Sequence, residues 1–336
     1  MTFTDKEKLA MLRKTFDINY KVTNLYARYI QNFPELINKK MIDTLTEDSG
    51  ITKTDAIAAL LAEIFGLDID RSASEADDKR IIMDYIYPSI RFPKASDYTE
   101  NPYYKNIAPK ETVTDGSWEI KWEYYPPFRA AIADDMIIKS NFAEIPPIGF
   151  FEEGFSFPAV LEDGNEWMTL TPVDVDTCKN EIEKAHGRVV TFGLGLGYYT
   201  YMVSEKSEVE SVTVVEKSEN VIRLFEKHIL PRFAHKEKVK IVNADAFEYA
   251  EKVMPKENFD YAFVDTWRDA SDGLPMYERM KPLESLSPKT EFNYWIESFI
   301  ISRKRALKFE ELWEIYESGD DNAPKSYSEF IERLTE

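Results

Sequence analysis

The 336-residue chain is long enough for about two domains, and its 43% hydrophobic content is ample for packed cores, which excludes a disordered chain. A net charge of −19 without any dense Lys/Arg block disfavours a nucleic-acid partner. The one cysteine, Cys178, excludes an intrachain disulfide.

The opening "MTFTDKEKLAMLRK" lacks the apolar core of a signal peptide, and no apolar run approaches the roughly 20 residues of a membrane span. A cytoplasmic protein with no membrane partner is expected. His186, His228 and His235 share no metal-ligand spacing with each other or with Cys178, so no metal is expected.

Helices come first. "TDKEKLAMLRKTF" has a Thr/Asp cap signal and apolar residues three and four apart. "TKTDAIAALLAEIFG" starts on a Thr cap and stops at Gly66, and "SEADDKRIIMDYIYPSI" ends near Pro88. Two helices joined by a short turn raise a helix-turn-helix. The acidity favours instead a packing or dimerisation domain, hence a homodimer through these helices. "DYTENPYYKNIAPKE" reads as a linker. "SWEIKWEYY" alternates as a strand does. "GFSFPAVLEDGNEWMTLTP" is a hairpin turning at Asp163-Gly164.

After Pro172 the period changes. "VDVDTCKNEIEKAHG" reads as a helix capped by Asp174 or Asp176 and stopped by Gly187. Then strands ("RVVTF", "VESVTVVE", "KVKIVN", "FDYAFVD") alternate with helices ("GYYTYMVSEK", "SENVIRLFEKHILPRF", "DAFEYAEKVM"). This alternation predicts a parallel α/β sheet with right-handed crossovers. "KTEFNYWIE" is a candidate fifth strand, and no sixth or seventh is visible. "SFIISRKRALKFEELWEIYES" and "KSYSEFIERL" read as helices. The expected organisation is a helical domain (1–110), a β-rich hairpin region (111–172), the α/β domain (173–300) and C-terminal helices (301–336).

The stretch "RVVTFGLGLGYYTYM" holds three of the chain's twelve glycines inside five positions, Gly193, Gly195 and Gly197, between a strand and a helix. Glycines there let the backbone turn sharply and approach a ligand. The dinucleotide fingerprint fails, because its third small residue would be Tyr198 or Thr200. The phosphate-binding loop fails too, because no Gly-Lys-Ser/Thr follows. A nicotinamide oxidoreductase is thereby disfavoured. Three acids accompany the glycines at successive strand ends: Glu216 in "VTVVEKS", Asp245 in "IVNADAF" and Asp265 in "YAFVDTW". Each alone reads as a cap or a solvated charge. Together, at one sheet edge, they point to a ligand site.

Strand, G-x-G-x-G, helix with these acids resembles the class I S-adenosylmethionine-dependent methyltransferases over roughly residues 173–295. Within them the chain looks most similar to the spermidine-synthase-like group, which also carries a β-rich region ahead of the fold. The resemblance implies a Rossmann-like methyltransferase fold, here with strands visible as far as the fifth. It implies S-adenosylmethionine as cofactor, with Gly193, Leu194, Gly195 and Gly197 beside its amino-acid part. Glu216 would accept from the ribose hydroxyls, Asp245 and the Ala246 amide would meet the adenine, and Asp265 would stand at the reacting end. Asp265, with Asp269 second, is the candidate for orienting or deprotonating a small-molecule acceptor. Trp267 and Tyr199 are candidates to line the pocket, against the plainer reading of core packing.

Three positions depart from the resembling proteins. Thr191 stands where many methyltransferases carry an acid, Leu196 where polyamine enzymes have an acid in the glycine loop, and Arg268 where they place a second acid after the fourth strand. Methyl transfer, aminopropyl transfer and a non-catalytic binding or assembly role all remain open on the sequence.

Overall fold

The computed structural model describes residues 3–68 and 76–335. The chain divides into two compact units: one of 1–92, 128–150 and 298–336, the other of 93–127 and 151–297. The units thus interleave along the chain, whereas the sequence suggested consecutive segments. The strand text of 111–172 is split between them, because residues 128–150, which form four short strands, belong with the helical unit.

The second unit carries the parallel sheet. Its described strands are β1 (Gly187–Phe192), β2 (Val209–Glu216), β3 (Val239–Asn243), β4 (Tyr261–Val264) and β5 (Glu291–Tyr294), in the spatial order β3-β2-β1-β4-β5. All neighbours run parallel, with Val189 opposite Val212 and Tyr261, and Val264 opposite Tyr294. This is a Rossmann-like α/β arrangement, and its order reverses between β1 and β4. The "VVTF" of β1 and the "YAFV" of β4 are buried throughout, as strands covered on both faces must be. No sixth or seventh strand joins this sheet among the described residues.

Helices α1 (Pro172–Lys184), α2 (Tyr198–Ser204), α3 (Glu219–His228), α4 (Ala246–Lys252) and α5 (Ala270–Met280) surround it. α1 does not start on Asp174 or Asp176. Thr171 is its cap, Pro172 fills the first position where a missing N–H costs nothing, and Asp174 completes a capping box. Gly187 does not stop this helix but opens β1 at φ 62°, its missing side chain leaving room for the Asp260 carboxylate. α5 falls in text with no clear sequence reading. Asp269 caps it, reciprocated by Asp272, and Pro275 lies inside it.

The C-terminus of α1 is held by one cation. Lys206 Nζ donates to the carbonyls of Ile182 (2.7 Å), Glu183 (2.7 Å) and Ala185 (2.8 Å), using all three protons on the negative end of a helix. Lys206→Met should therefore lower the stability of the protein by about 1–3 kcal/mol. Urea denaturation followed by circular dichroism measures this, and an unchanged midpoint would refute the clamp.

An antiparallel sheet of Val113–Asp115, Trp118–Tyr125, Phe155–Glu162 and Asn165–Thr169 belongs to the same unit, its hairpin turning at Asp163-Gly164 as the sequence indicates. The "linker" is not one. It forms a short helix, Ala95–Thr99, and a π-helical turn, Tyr103–Ile107, that bury Tyr98, Tyr103 and Tyr104. Three rings removed from water, each with its hydroxyl hydrogen-bonded, outweigh the weak local pattern.

The first unit is mainly helical. Asp5–Asn32, Lys39–Ser49 and Lys53–Ile64 are followed by a helical stretch with a π turn at Ile82–Ile86. The first helix runs far past the sequence expectation, the second was not expected at all, and residues 74–75 of the next expected helix lie outside the described residues. Two apolar clusters form its core, one around Tyr26, Leu61 and Tyr85, the other joining Phe16 to Phe309 and Phe330. The buried Glu144 accepts from Ser302 Oγ (2.5 Å) and Arg305 Nη1 (2.9 Å). Asp135 accepts from the Ser298 and Phe299 amides (3.1 Å each) at the start of helix Glu297–Ser318. Among the described residues no helix is long and apolar enough to cross a membrane.

Candidate functional site

The three glycines of the β1–α2 loop all adopt the left-handed conformation, with φ of 100°, 55° and 74°, but for different neighbours. A methyl group on Gly193 would lie 1.9 Å from the backbone oxygen of Asp265, and one on Gly197 would lie 2.2 Å from the Phe225 ring. These two let β1 approach β4 and α2 approach α3. A methyl group on Gly195 would meet only the flexible tip of Met168, at 2.4 Å from Cε. Gly195 is therefore the glycine whose surroundings can yield to a ligand.

Glu216, ending β2, is turned toward this loop. The Leu194 amide donates to its Oε2 (3.1 Å) and the Ser218 amide to its Oε1 (2.7 Å). Each carboxylate oxygen keeps acceptor capacity beyond its one protein donor. From behind, the Tyr103 hydroxyl donates to the Leu196 carbonyl, fixing the loop. Tyr104 O–H donates to the Leu170 carbonyl (2.5 Å).

A cavity of about 350 Å³ opens in front of the loop. Gly193, Leu194 and Gly195 form one wall, Asp265 and Trp267 at the end of β4 another, and Asp174 and Cys178 of α1 a third. The edge strand Asn165–Thr169 closes the outer side with Glu166, Trp167 and Met168. Trp295, just past β5, also lines it and donates Nε1–H to Thr177 Oγ1 (2.8 Å).

Asp265 is half-buried on this cavity, and no donor among the described residues reaches its carboxylate. Desolvation, reinforced by the charges of Asp174 and Glu216, pushes its pKa up to about 8. Asp174 is also raised, to about 6, by burial first and by Glu166 last. The Thr171 amide (2.7 Å) and hydroxyl (2.6 Å), both donating to Oδ2, oppose the rise. Two further groups on the cavity wall are buried without a hydrogen-bond partner: the Tyr199 hydroxyl and the Trp267 indole N–H.

The structure thus brings Gly193, Leu194, Gly195, Asp265, Tyr199 and Trp267 to one cavity, with Glu216 bonded to its floor. Other sequence candidates stand elsewhere. Asp245 caps α4, its Oδ1 accepting from the Phe247 (3.0 Å) and Glu248 (3.1 Å) amides, and does not line the cavity. Ala246 opens α4, so its N–H is one that a helix leaves without an internal acceptor. Asp269 is outside the cavity, its Oδ1 accepting from the Ser271 amide (2.6 Å) and hydroxyl (2.5 Å) as cap of α5. The Ser271 hydroxyl above all holds its pKa below the ordinary carboxylate range, opposite to what a base near neutrality requires. Arg268 points its side chain outward to Asp272 (3.5 Å).

Asp174, Glu166, Trp167 and Met168 were missed as site residues. Asp174 carried a cap signal that masked it. The other three sit on a hairpin strand with no motif, and only its folding against the loop makes them a wall. Among the described residues no three His, Cys, Asp or Glu side chains group as a metal site would.

No protein-family model and no curated protein sequence matches the chain. Solved structures with similar backbones include a precorrin 8W decarboxylase from Methanobacterium thermoautotrophicum, at 20% identity and TM-score 0.29, covering 45% of this chain and 74% of that one. They also include the spermidine synthase of Thermotoga maritima, at 14% identity and TM-score 0.31, covering 60% of this chain and 63% of that one. A spermidine synthase in complex with the transition-state analogue AdoDATO gives 14% identity and TM-score 0.32, with 60% and 62% covered. The chain thus spans less than two thirds of either spermidine synthase.

Proposed function

We propose that this chain is an S-adenosylmethionine-dependent methyltransferase acting on a small-molecule acceptor. The observation that carries the reading is Glu216 hydrogen-bonded to the Leu194 amide, in a glycine-rich loop fronting a cavity whose other wall bears the undonated Asp265 carboxylate. The residues suit an adenosyl cofactor: the Gly195 position lies open apart from the Met168 tip, Glu216 has acceptor capacity for ribose hydroxyls, and the Ala246 N–H is free for an adenine nitrogen.

When bound, S-adenosylmethionine supplies a methyl group on a sulfonium, displaced in line by a nucleophile while the C–S electron pair returns to sulfur. The protein's part is alignment and exclusion of water. Alignment alone is worth several orders of magnitude in rate. The buried Tyr199 and Trp267 side chains give the cavity an apolar wall against which the acceptor would lie. Asp265 accepts the proton an acceptor heteroatom releases, and its raised pKa makes it a competent base near neutral pH.

Isothermal titration with S-adenosylhomocysteine tests the cofactor claim. We expect binding with Kd on the order of micromolar, about −8 kcal/mol. If neither it nor S-adenosylmethionine binds at millimolar concentration, the reading is wrong. A second reading, aminopropyl transfer from the decarboxylated cofactor, has one observation in its favour: Glu166, Asp174 and Asp265 make the cavity acidic, which suits a polyamine. Leu196 and Arg268, standing where polyamine enzymes carry acids, weigh against it. Product analysis with decarboxylated cofactor and putrescine separates the two.

A further inference from the structure

We propose that Tyr103 and Tyr104 are positioning residues: from one π-helical turn their hydroxyls pin the glycine loop and the hairpin strand, two walls of the cavity, at a fixed separation. The inference rests on the cofactor reading for the ligand that this spacing serves, and deepens it.

The segment that carries them follows no sequence period, yet four of its side chains end on elements of the site. Tyr103 O–H donates to the Leu196 carbonyl of the glycine loop, and Tyr104 O–H to the Leu170 carbonyl (2.5 Å), just past the strand Asn165–Thr169. Asn101 Nδ2 donates to the hydroxyl of Tyr198, the first residue of α2 (3.1 Å). Tyr98 O–H donates to Asp176 Oδ2 of α1 (2.5 Å).

The loop needs such an anchor. Glycines lose more conformational freedom on ordering than other residues, and Leu196 stands between Gly195 and Gly197, both at left-handed φ. The amides of Gly193, Leu194 and Gly197 find acceptors in the Val215 carbonyl, the Glu216 carboxylate and the Leu194 carbonyl. Among the described residues no backbone amide donates to the Leu196 carbonyl. Tyr103 supplies that donor from a fully buried ring, set edge-on to Tyr198 (5.6 Å between ring centres) and tilted against Tyr201 (5.9 Å). A buried carbonyl left without a donor is costly, so this bond holds the loop in one conformation.

The hairpin wall is held from the next residue. Tyr104 lies edge-on to Trp122 (5.9 Å), whose strand pairs with Phe155–Glu162 of the hairpin. Lys110 Nζ donates to the Tyr104 carbonyl, and the Ala108 amide to the Tyr103 carbonyl (3.0 Å), the five-residue bond of a π turn. Such turns recur at functional sites. One turn thus carries both anchors, and a shift of either wall is resisted through the other. A site ordered in advance binds more tightly, because the ligand does not have to order it.

Removing one hydroxyl at a time separates positioning from stability. Tyr103→Phe keeps the ring and its packing. We expect it to weaken S-adenosylhomocysteine binding about tenfold or more in calorimetry. In the unliganded full chain it should speed amide hydrogen exchange of residues 193–197 by at least about fivefold, with exchange in β2 unchanged. Tyr104→Phe should speed exchange of residues 165–170 instead. Tyr98→Phe is the control. It deletes an equally buried hydroxyl bond of the same segment, to Asp176, and should lower the melting temperature comparably with ligand affinity unchanged. An equal loss of affinity in Tyr98→Phe, unchanged loop exchange in Tyr103→Phe, or faster exchange across the whole sheet would each overturn the proposal. The exchange measurement needs no ligand. A protein that binds no S-adenosylhomocysteine would therefore sink the cofactor reading alone, and the anchoring of the two walls would still be decided by exchange.

Discussion

Asp265→Asn should lower turnover by about two to four orders of magnitude while leaving S-adenosylhomocysteine affinity within a few-fold of the unmodified protein. The carboxylate has no protein donor to lose, and it lines the cavity beside the loop that would hold the cofactor. The pH profile carries a second signature. With a pKa pushed up to about 8 by burial, then by Asp174 and Glu216, only a minority of Asp265 is ionised at pH 7. Turnover should rise about tenfold per pH unit below 8 and level off above it, and the limb assigned to Asp265 should vanish in the variant.

Stability should move the other way. The folded-state value lies above the unfolded one, so burial of Asp265 is harmless below about pH 4 and progressively costs stability as pH climbs through 8. Asparagine removes that cost. The variant should therefore be the more stable protein near pH 9, by on the order of 2–5 kcal/mol, with little difference near pH 4. A less stable variant at high pH, or loss of cofactor binding, would show that Asp265 holds structure or ligand and is not the base.

Gly195→Arg should abolish detectable S-adenosylhomocysteine binding, a loss of at least about a hundredfold, in a protein that still folds. The left-handed φ of 55° costs a non-glycine residue about 1–2 kcal/mol, which a domain can absorb. Sterically the new side chain has only the end of Met168 to push aside, and beyond it lies the cavity. Gly193→Ala is the informative contrast. Its methyl group would collide with the Asp265 carbonyl across the β1–β4 pairing, a backbone atom that cannot rotate away. That variant should lose the folded sheet, not just the ligand. Binding retained by a folded Gly195→Arg protein would remove the loop from the cofactor site.

Much of the parallel sheet was legible because its signals are local. Buried strands such as "VVTF" and "YAFV" are nearly continuous apolar runs, and the alternation with helices leaves few topologies. Even the fifth strand, Glu291–Tyr294, sits where the text suggested. What failed was text whose structure depends on distant partners. The segment around Tyr103 has no regular period, and it is ordered because its rings find apolar cover and the Leu196 carbonyl, more than ninety residues away. Asp269 looked like a site acid by its distance from Asp265, but the start of α5 claims its oxygen for two backbone amides.

By itself the sequence determined the order of strands and helices in the α/β region as far as β4, the glycine loop at the end of β1, and the placing of Glu216, Asp245 and Asp265 at successive strand ends. Strand period and glycine content act over a handful of residues, so they survive without knowledge of the rest. Only the tertiary structure decided which acids share a space. It brought Asp174 from a helix cap and Glu166 from a hairpin edge onto one cavity with Asp265, left Asp269 outside, and gave Gly193 and Gly195 different tasks. Burial, mutual repulsion of carboxylates and close backbone approach depend on three-dimensional distance, and separation along the chain does not encode them.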